Sequence, residues 1–368
     1  MEKLGYKMKS LFAKINAFFH STEFLRVYDK IAKFIRNVVP KIAIYFTLIA
    51  FCYVFVYPLL RVLVDSFKVE KDIVNPDVVW IPTALTLNNY KNAMKALHVF
   101  KRWSSLYNVW QSTLLNSVLF SLISAIIETT VSCFAGYAFA RFSFKGKKIW
   151  FVGLIFAFVV PTSILTLPRS MLLQPLRNKC SSASSLLGLK FASEAAKMQF
   201  DSIFSVLTTL PAILLTLLGQ GINSSILIFI FFSFFKMIPL SLDEAGQIDG
   251  ANFFQIFYHI IIKMSVPTIL VVFLFSFIWN WNDTYVLSKL STLPQNSIRF
   301  KSLPQALDDF NYVMSQDQSY TGITENVKNN EGLKSAGIIF SILPLLILYA
   351  FTQRKFVEGI ENTGVTGV

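Results

Sequence analysis

Six stretches of this chain run with little or no charge over lengths that match a bilayer, and nothing else in the sequence limits its fold as strongly. They are residues 42–60, 111–140, 149–168, 202–235, 264–282 and 335–353. A helix needs roughly 20 apolar residues to cross the hydrocarbon of a membrane. Backbone polar groups there must be paired inside the segment, which helices achieve. An all-α polytopic membrane protein is therefore expected. Composition agrees, since only 15% of the residues are charged, where a soluble domain carries about a quarter.

The fourth stretch is too long for one straight span and is interrupted by Gly219-Gln220-Gly221, which leaves two short pieces. One span ending near Ile238, preceded by an outer hydrophobic segment, gives six crossings; a double crossing would flip everything after it. Orientation follows from Lys and Arg in tails and short loops. The connection RFSFKGKK and the N-terminal tail are densely basic, which predicts both termini in the cytoplasm. The net charge of +13 lies largely beside membrane segments and is no nucleic-acid signature. The first forty residues lack the compact apolar core of a cleavable signal. Residues 8–37 mix aromatic and basic residues at helical spacing, which suits either an in-plane helix on anionic lipid or an ordinary cytoplasmic helix.

Cys52 and Cys133 sit inside apolar runs, where a thiol is a small hydrophobe, and with Cys180 they make no disulfide framework. His20, His98 and His259 are scattered, with no metal-ligand spacing and no nucleophile–base pattern. Gly146-Lys147-Lys148 lacks the upstream Gly of a phosphate loop, position 141 being Arg. The chain is therefore expected to bind no cofactor and to be no enzyme.

Between the fourth and fifth stretches stands SLDEAGQIDGANFFQIFYHIIIKMSVP, residues 241–267. Locally it predicts a helix–turn–helix. Ser241 to Glu244 has the form of a capping box, and Gly250 suits a left-handed terminator. Asn252 caps a second helix, with Gln255 three residues on. Helical spacing puts Phe253, Phe254, Phe257, Ile260 and Ile261 on one face. Such a knob fits helix-in-groove docking or a plain loop lying on the membrane.

The segment EAGQIDGANFFQIFYHIIIKMSVP resembles the loop motif of ABC importer permeases through Glu244, Ala245, Asp249, Gly250, Ala251, Phe257 and Pro267. Gly246 stands where the family has a second Ala, and Lys263 where it commonly has Pro. Further likeness lies in SFK at 66–68, LTLNNYKNAM at 85–94, the long run 114–147, LPAILLTLLGQGINSS at 210–225, FIWNWND at 277–283 and FTQRKFVEGIENTGVTG at 351–367. Together these resemble the second permease subunit of carbohydrate-type importers related to the maltose and glycerol-phosphate systems, over about 41–368.

The resemblance implies six transmembrane helices with a cytoplasmic coupling loop between spans four and five. It implies a basic tail at 1–40, a permease domain at 41–353 with outer insertions about 175–202 and 303–333, a coupling loop at 239–267 and a cytoplasmic tail at 354–368. It also implies partners: a cytoplasmic ABC ATPase that uses the ATP, a second permease subunit and an extracytoplasmic solute-binding protein, with lipid around them and no nucleic acid. ATPase coupling would fall to Glu244, Ala245, Asp249, Gly250, Ala251, Phe253, Phe254 and Phe257.

For the solute, Trp279, Asn280, Asn282 and Asp283 offer the aromatic and amide chemistry that suits a polyhydroxylated ligand. The Trp pair 279 and 281 equally fits an interfacial aromatic belt. Glu128, an intramembrane carboxyl, is a functional candidate by default, or a neutral group bonded to Ser or Thr of a neighbouring span. An ion-coupled secondary transporter is the alternative, which would show several intramembrane charges and inverted repeats.

Overall fold

The computed structural model describes residues 22–99, 112–179, 183–193, 196–197, 200–201, 209–290, 301–310 and 331–364. Residues 1–21 of the basic tail, parts of the outer insertion about 175–202, most of the one about 303–333, and the last four residues lie outside these. By its contacts the chain divides into Met1–Leu63 and Val64–Val368. Among the described residues the structure is helical, with no strand beyond an isolated Lys68–Leu85 bridge.

The first helix, α1, runs over Thr22–Phe67 and carries Pro40 and Pro58 inside it. Its part from Lys33 to Phe67 is apolar and long enough to cross a membrane. Within it the Thr47 hydroxyl donates to the Ala43 carbonyl, 2.8 Å, so this polar group is settled by its own helix.

The segment after α1 is held by buried polar groups. Lys68 is 1% exposed; its Nζ donates to the carbonyls of Val78 and Val79 at 2.8 and 2.9 Å and pairs with Asp65 at 2.7 Å. All three ammonium donors are thereby satisfied. Helix α2, Asn88–Ala96, contributes Asn89, whose amide donates to the carbonyls of Ser66 and Lys68. Two widely spaced sequence motifs, SFK and LTLNNYKNAM, thus meet at one buried amide. Beside them the Thr83 hydroxyl holds the Asp72 carboxyl below its ordinary range.

The long α3, Thr113–Arg141, is the spine of the larger unit. Its buried face reads Ser117, Ser121, Ser124, Ala125, Glu128, Ser132, Cys133, Gly136. Lipid tails are as apolar as Leu, so helices associate in a membrane by close packing of small residues. The Gly136 position shows how close: a Cβ there would stand 2.5 Å from Phe231 Cβ and 2.9 Å from the Phe232 backbone nitrogen.

The third predicted span, 149–168, is broken. It forms α4, Lys147–Val159, and α5, Thr162–Leu172, which meet at 104°. Pro161 is the cause. It lacks an N–H and holds Val160 extended, at φ −77° and ψ 119°.

The fourth region resolves into α6, Leu210–Leu217, and α7, Ser224–Met237, separated by the Gly219-Gln220-Gly221 turn. Then come α8, Leu240–Ile248, and α9, Phe253–Ile256, the latter continuing through a wider π turn, Phe257–Ile261. After a corner of 76°, α10 runs over Val266–Asn282, followed by the short α11, Tyr285–Leu290, and α12, Leu303–Asp308. The last helix, α13, covers Glu331–Gly364. Among the described residues, three helices are long and apolar enough to cross a membrane singly, or up to six spans form where each bent pair counts as one.

Helix α3 packs chiefly on α7 and α10. Near its start, Ser117 accepts from the Leu303 N–H, and α2, α12 and the head of α13 share a core of Leu97, Leu303, Phe310 and Leu333. Near its end a second core gathers Tyr137, Phe231, Phe235, Ile256, Phe257 and Ile261.

Candidate functional site

Two places concentrate the candidate residues: the α8–α9 passage and the polar cluster at Glu128. At the first, Pro239 is the N-cap of α8 and no side chain caps that helix. The capping box expected at Ser241 is absent, because the helix already begins at Leu240, which places Ser241 inside the first turn. The box at Asn252 is present: its carboxamide oxygen accepts from the Gln255 N–H at 2.9 Å, and the Gln255 side chain accepts from the Asn252 N–H at 2.8 Å.

Gly250 has φ +80°, with open space where a Cβ would stand. Its glycine is required by backbone conformation, not by crowding. Gly246 is the opposite case. A Cβ there would lie 3.1 Å from Ile256 and 3.2 Å from Ile260, so α8 rests directly on α9 and the π turn.

Glu244, Ala245 and Asp249 are exposed on the knob, while Ala251 is half-buried. Phe257 is buried against Tyr137 and Phe134, with ring centroids 4.7 and 5.3 Å away. Phe253 packs on Phe142 and Tyr137. Phe254, expected on the same face, is 73% exposed, and Ile256, absent from that face in the sequence reading, is buried. Both residues precede the π turn, and in a regular helix Phe254 already stands about 100° round from Phe253, at the edge of that face.

Sequence reasoning also missed Arg141 and Asp243. Arg141 closes α3; its guanidinium donates to the Ile238 carbonyl at 2.9 Å and pairs with Asp243 at 3.1 Å. Burial pushes the Asp243 carboxyl up, Arg141 pulls it back and Glu244 adds to the rise. A basic residue ending a span and an acid two positions after Ser241 were the available signals, but 102 residues of sequence separate them, from 141 to 243.

At the second place, Glu128 is 1% exposed and accepts from the Ser224 hydroxyl at 2.7 Å, from the Ser276 hydroxyl, and from the Asn280 amide at 3.1 Å. These donors come from α7 and α10, so one carboxyl ties three helices. No Lys or Arg pairs with it among the described residues. Gly221 is pressed against this carboxyl and against Thr216, leaving no room for a Cβ.

The remaining residues of the WNWND run scatter. Asn280 and Asp283 line a small cleft, about 30 Å³, with Ser124, Arg169 and Gln220. Asp283 also accepts from the N–H groups of Val286 and Leu287, which caps α11. Trp279 stacks on Phe275, and Trp281 is buried with its Nε1 donating to the Ser341 carbonyl. Asn282 donates back to Ile278 of its own helix. The structure therefore joins Glu128 to Asn280 and leaves Trp279 and Asn282 apart from the cleft.

Comparison with known proteins gives a consistent picture. The family described as binding-protein-dependent transport system inner membrane component matches residues 128–361. The chain is 24% identical over 312 residues to the diacetylchitobiose uptake system permease protein DasC of Streptomyces coelicolor, covering 85% of this chain and 92% of that one. It is 25% identical over 332 residues to the maltodextrin transport system permease protein MalD of Streptococcus pneumoniae, covering 88% and 94%. Among solved structures, a bacterial ABC transporter involved in the import of the acidic polysaccharide alginate matches with a TM-score of 0.59 at 17% identity, over 87% of this chain and 98% of that one.

Proposed function

This chain belongs to the family of binding-protein-dependent transport system inner membrane components, and on that premise we propose that it is the permease subunit through which an ATP-driven importer passes a sugar, oligosaccharide, polyol or glycerol-phosphate-type solute. It is a transport subunit and not a catalytic one; ATP is hydrolysed by a separate cytoplasmic ATPase. Relatives named for diacetylchitobiose uptake and maltodextrin transport support the carbohydrate class. Nothing in the fold or the comparisons favours the ion-coupled alternative.

The observation that carries the coupling role is the division of the α8–α9 passage into a bare crown and a rooted base. Ile248 and Phe254 are 86% and 73% exposed, with Glu244 and Asp249 beside them, whereas Phe257 and Ile261 are buried against the helices. A groove on the ATPase takes the crown, and the base hands its movement to α10. The solute route then alternates between inward- and outward-facing states, each favoured by different ligands. In this reading both termini and the α8–α9 passage are cytoplasmic, a second permease completes the pathway, a solute-binding protein delivers from outside, and no cofactor is held by this chain.

The test is co-purification from native membranes in mild detergent. A phosphate-loop ATPase and a second permease should accompany the wild type. Gly250→Pro, which cannot take φ +80°, should lose the ATPase, while Gly250→Asn, which tolerates left-handed backbone, should keep it. A wild type that brings no ATPase under any mild condition sinks the reading.

A further inference from the structure

The coupling role rests on α8 moving something, and the buried residues of α9 and its π turn, Ile256, Phe257 and Ile261, pack into an apolar core shared with α10 and the flank of α3. A different contact governs α8 itself. The chain turns by 68° between α7 and α8, at Ile238 and Pro239. Pro239 has no N–H and a fixed φ of −59°, so it lends the corner no hydrogen bond. The Ile238 carbonyl, on the α7 side, takes its bond from the Arg141 guanidinium at 2.9 Å. The same guanidinium meets the Asp243 carboxylate, one turn into α8, at 3.1 Å. Both side chains are withdrawn from solvent, at 8% and 14% exposure.

We infer that Arg141 is a positioning residue that clamps the α7–α8 corner to the end of α3, so that a displacement of α8 is delivered to the second and fourth spans as well as the fifth. Three observations converge on it. One planar guanidinium contacts both arms of the corner, which a single ammonium cannot reproduce with a fixed fork. Helices α3 and α7 already touch backbone to backbone at Gly136, five residues away, so they respond as one body. Burial of Asp243 works against its charge, and a buried ion pair of that kind specifies geometry more than it adds stability. Tyr137, one turn before Arg141, packs at a tilt on Phe253 and Phe257, which sets the clamp beside the root of α9.

This inference depends on the coupling reading for its purpose but not for its geometry, and the experiment separates the two. Wild type, Arg141→Gln, Arg141→Lys and Asp243→Asn are purified with whatever subunits accompany them. Backbone hydrogen exchange is followed over 240–248 and, as a fold control, over the interior of α3. ATP turnover of the assembled complexes is measured alongside.

Exchange over 240–248 should quicken by about tenfold in Arg141→Gln and Asp243→Asn, with α3 unchanged and Arg141→Lys in between. ATP turnover should rise at unchanged KM, because the ATPases then swing α8 without carrying the spans. Unchanged exchange in both Arg141→Gln and Asp243→Asn overturns the clamp. So does faster exchange with unchanged turnover, which would make the pair a local prop. Should no ATPase accompany the wild type, the coupling reading falls, while the exchange data still decide whether Arg141 holds the corner.

Discussion

Glu128 sets the tone at the scale of single residues. A carboxyl without a cation is expensive inside a membrane, and here three donors from two other helices satisfy it. Serine hydroxyls rotate and can donate or accept. Glu128→Gln should therefore be accommodated within about 1 kcal/mol, while Glu128→Ala should cost about 3 kcal/mol through orphaned donors and a void. Thermal unfolding in detergent measures both. If Gln costs as much as Ala, the charge itself is in use and the hydrogen-bond account is wrong. The carboxyl was legible in the sequence as the lone acid in a charge-free run. Its partners were not, because Ser224, Ser276 and Asn280 are ordinary residues 96 to 152 positions away. Residue type reveals a cost, and only the fold reveals what offsets it.

Among the elements, contact distance decides function. The α3–α7 crossing works because position 136 has no side chain. Gly136→Ala should force the helices apart against Phe231 and the Phe232 backbone, at a cost of about 1–3 kcal/mol. A lowered unfolding temperature is expected, and an unaltered one would mean the crossing is looser than drawn. Element types came readily from apolar runs, whereas corners did not. Pro161 and Pro239 each end a helix, yet neither angle is written in hydropathy. The π turn after Ile256 likewise follows from no local motif. Capping was legible at Asn252, where side chain and register agree, and misread at Ser241, where the cap falls two residues earlier, at Pro239.

For the whole molecule the proposed function fixes which way it must face. The reading above places the α3–α4 connection and the α8–α9 passage on the cytoplasmic side and the segment after α1 outside. With Cys52, Cys133 and Cys180 replaced, single cysteines at Lys145 and Gln247 should resist a membrane-impermeant maleimide in intact cells, while one at Asp77 should react. All three positions are exposed. The reverse pattern would invert the molecule and move the proposed coupling surface to the wrong face.

The short helices carry a further consequence. Helix α4 has 13 residues and α7 has 14, so at 1.5 Å per residue each reaches only about 20 Å, against roughly 30 Å of hydrocarbon. Either the bilayer dips to meet them, or the segments beyond their bends fill the difference. Hydrophobic mismatch of this kind has a modest free-energy cost for every ångström. Where the bilayer dips to meet them, the protein favours a shorter acyl chain, and the thickness of its host membrane becomes one of its working conditions.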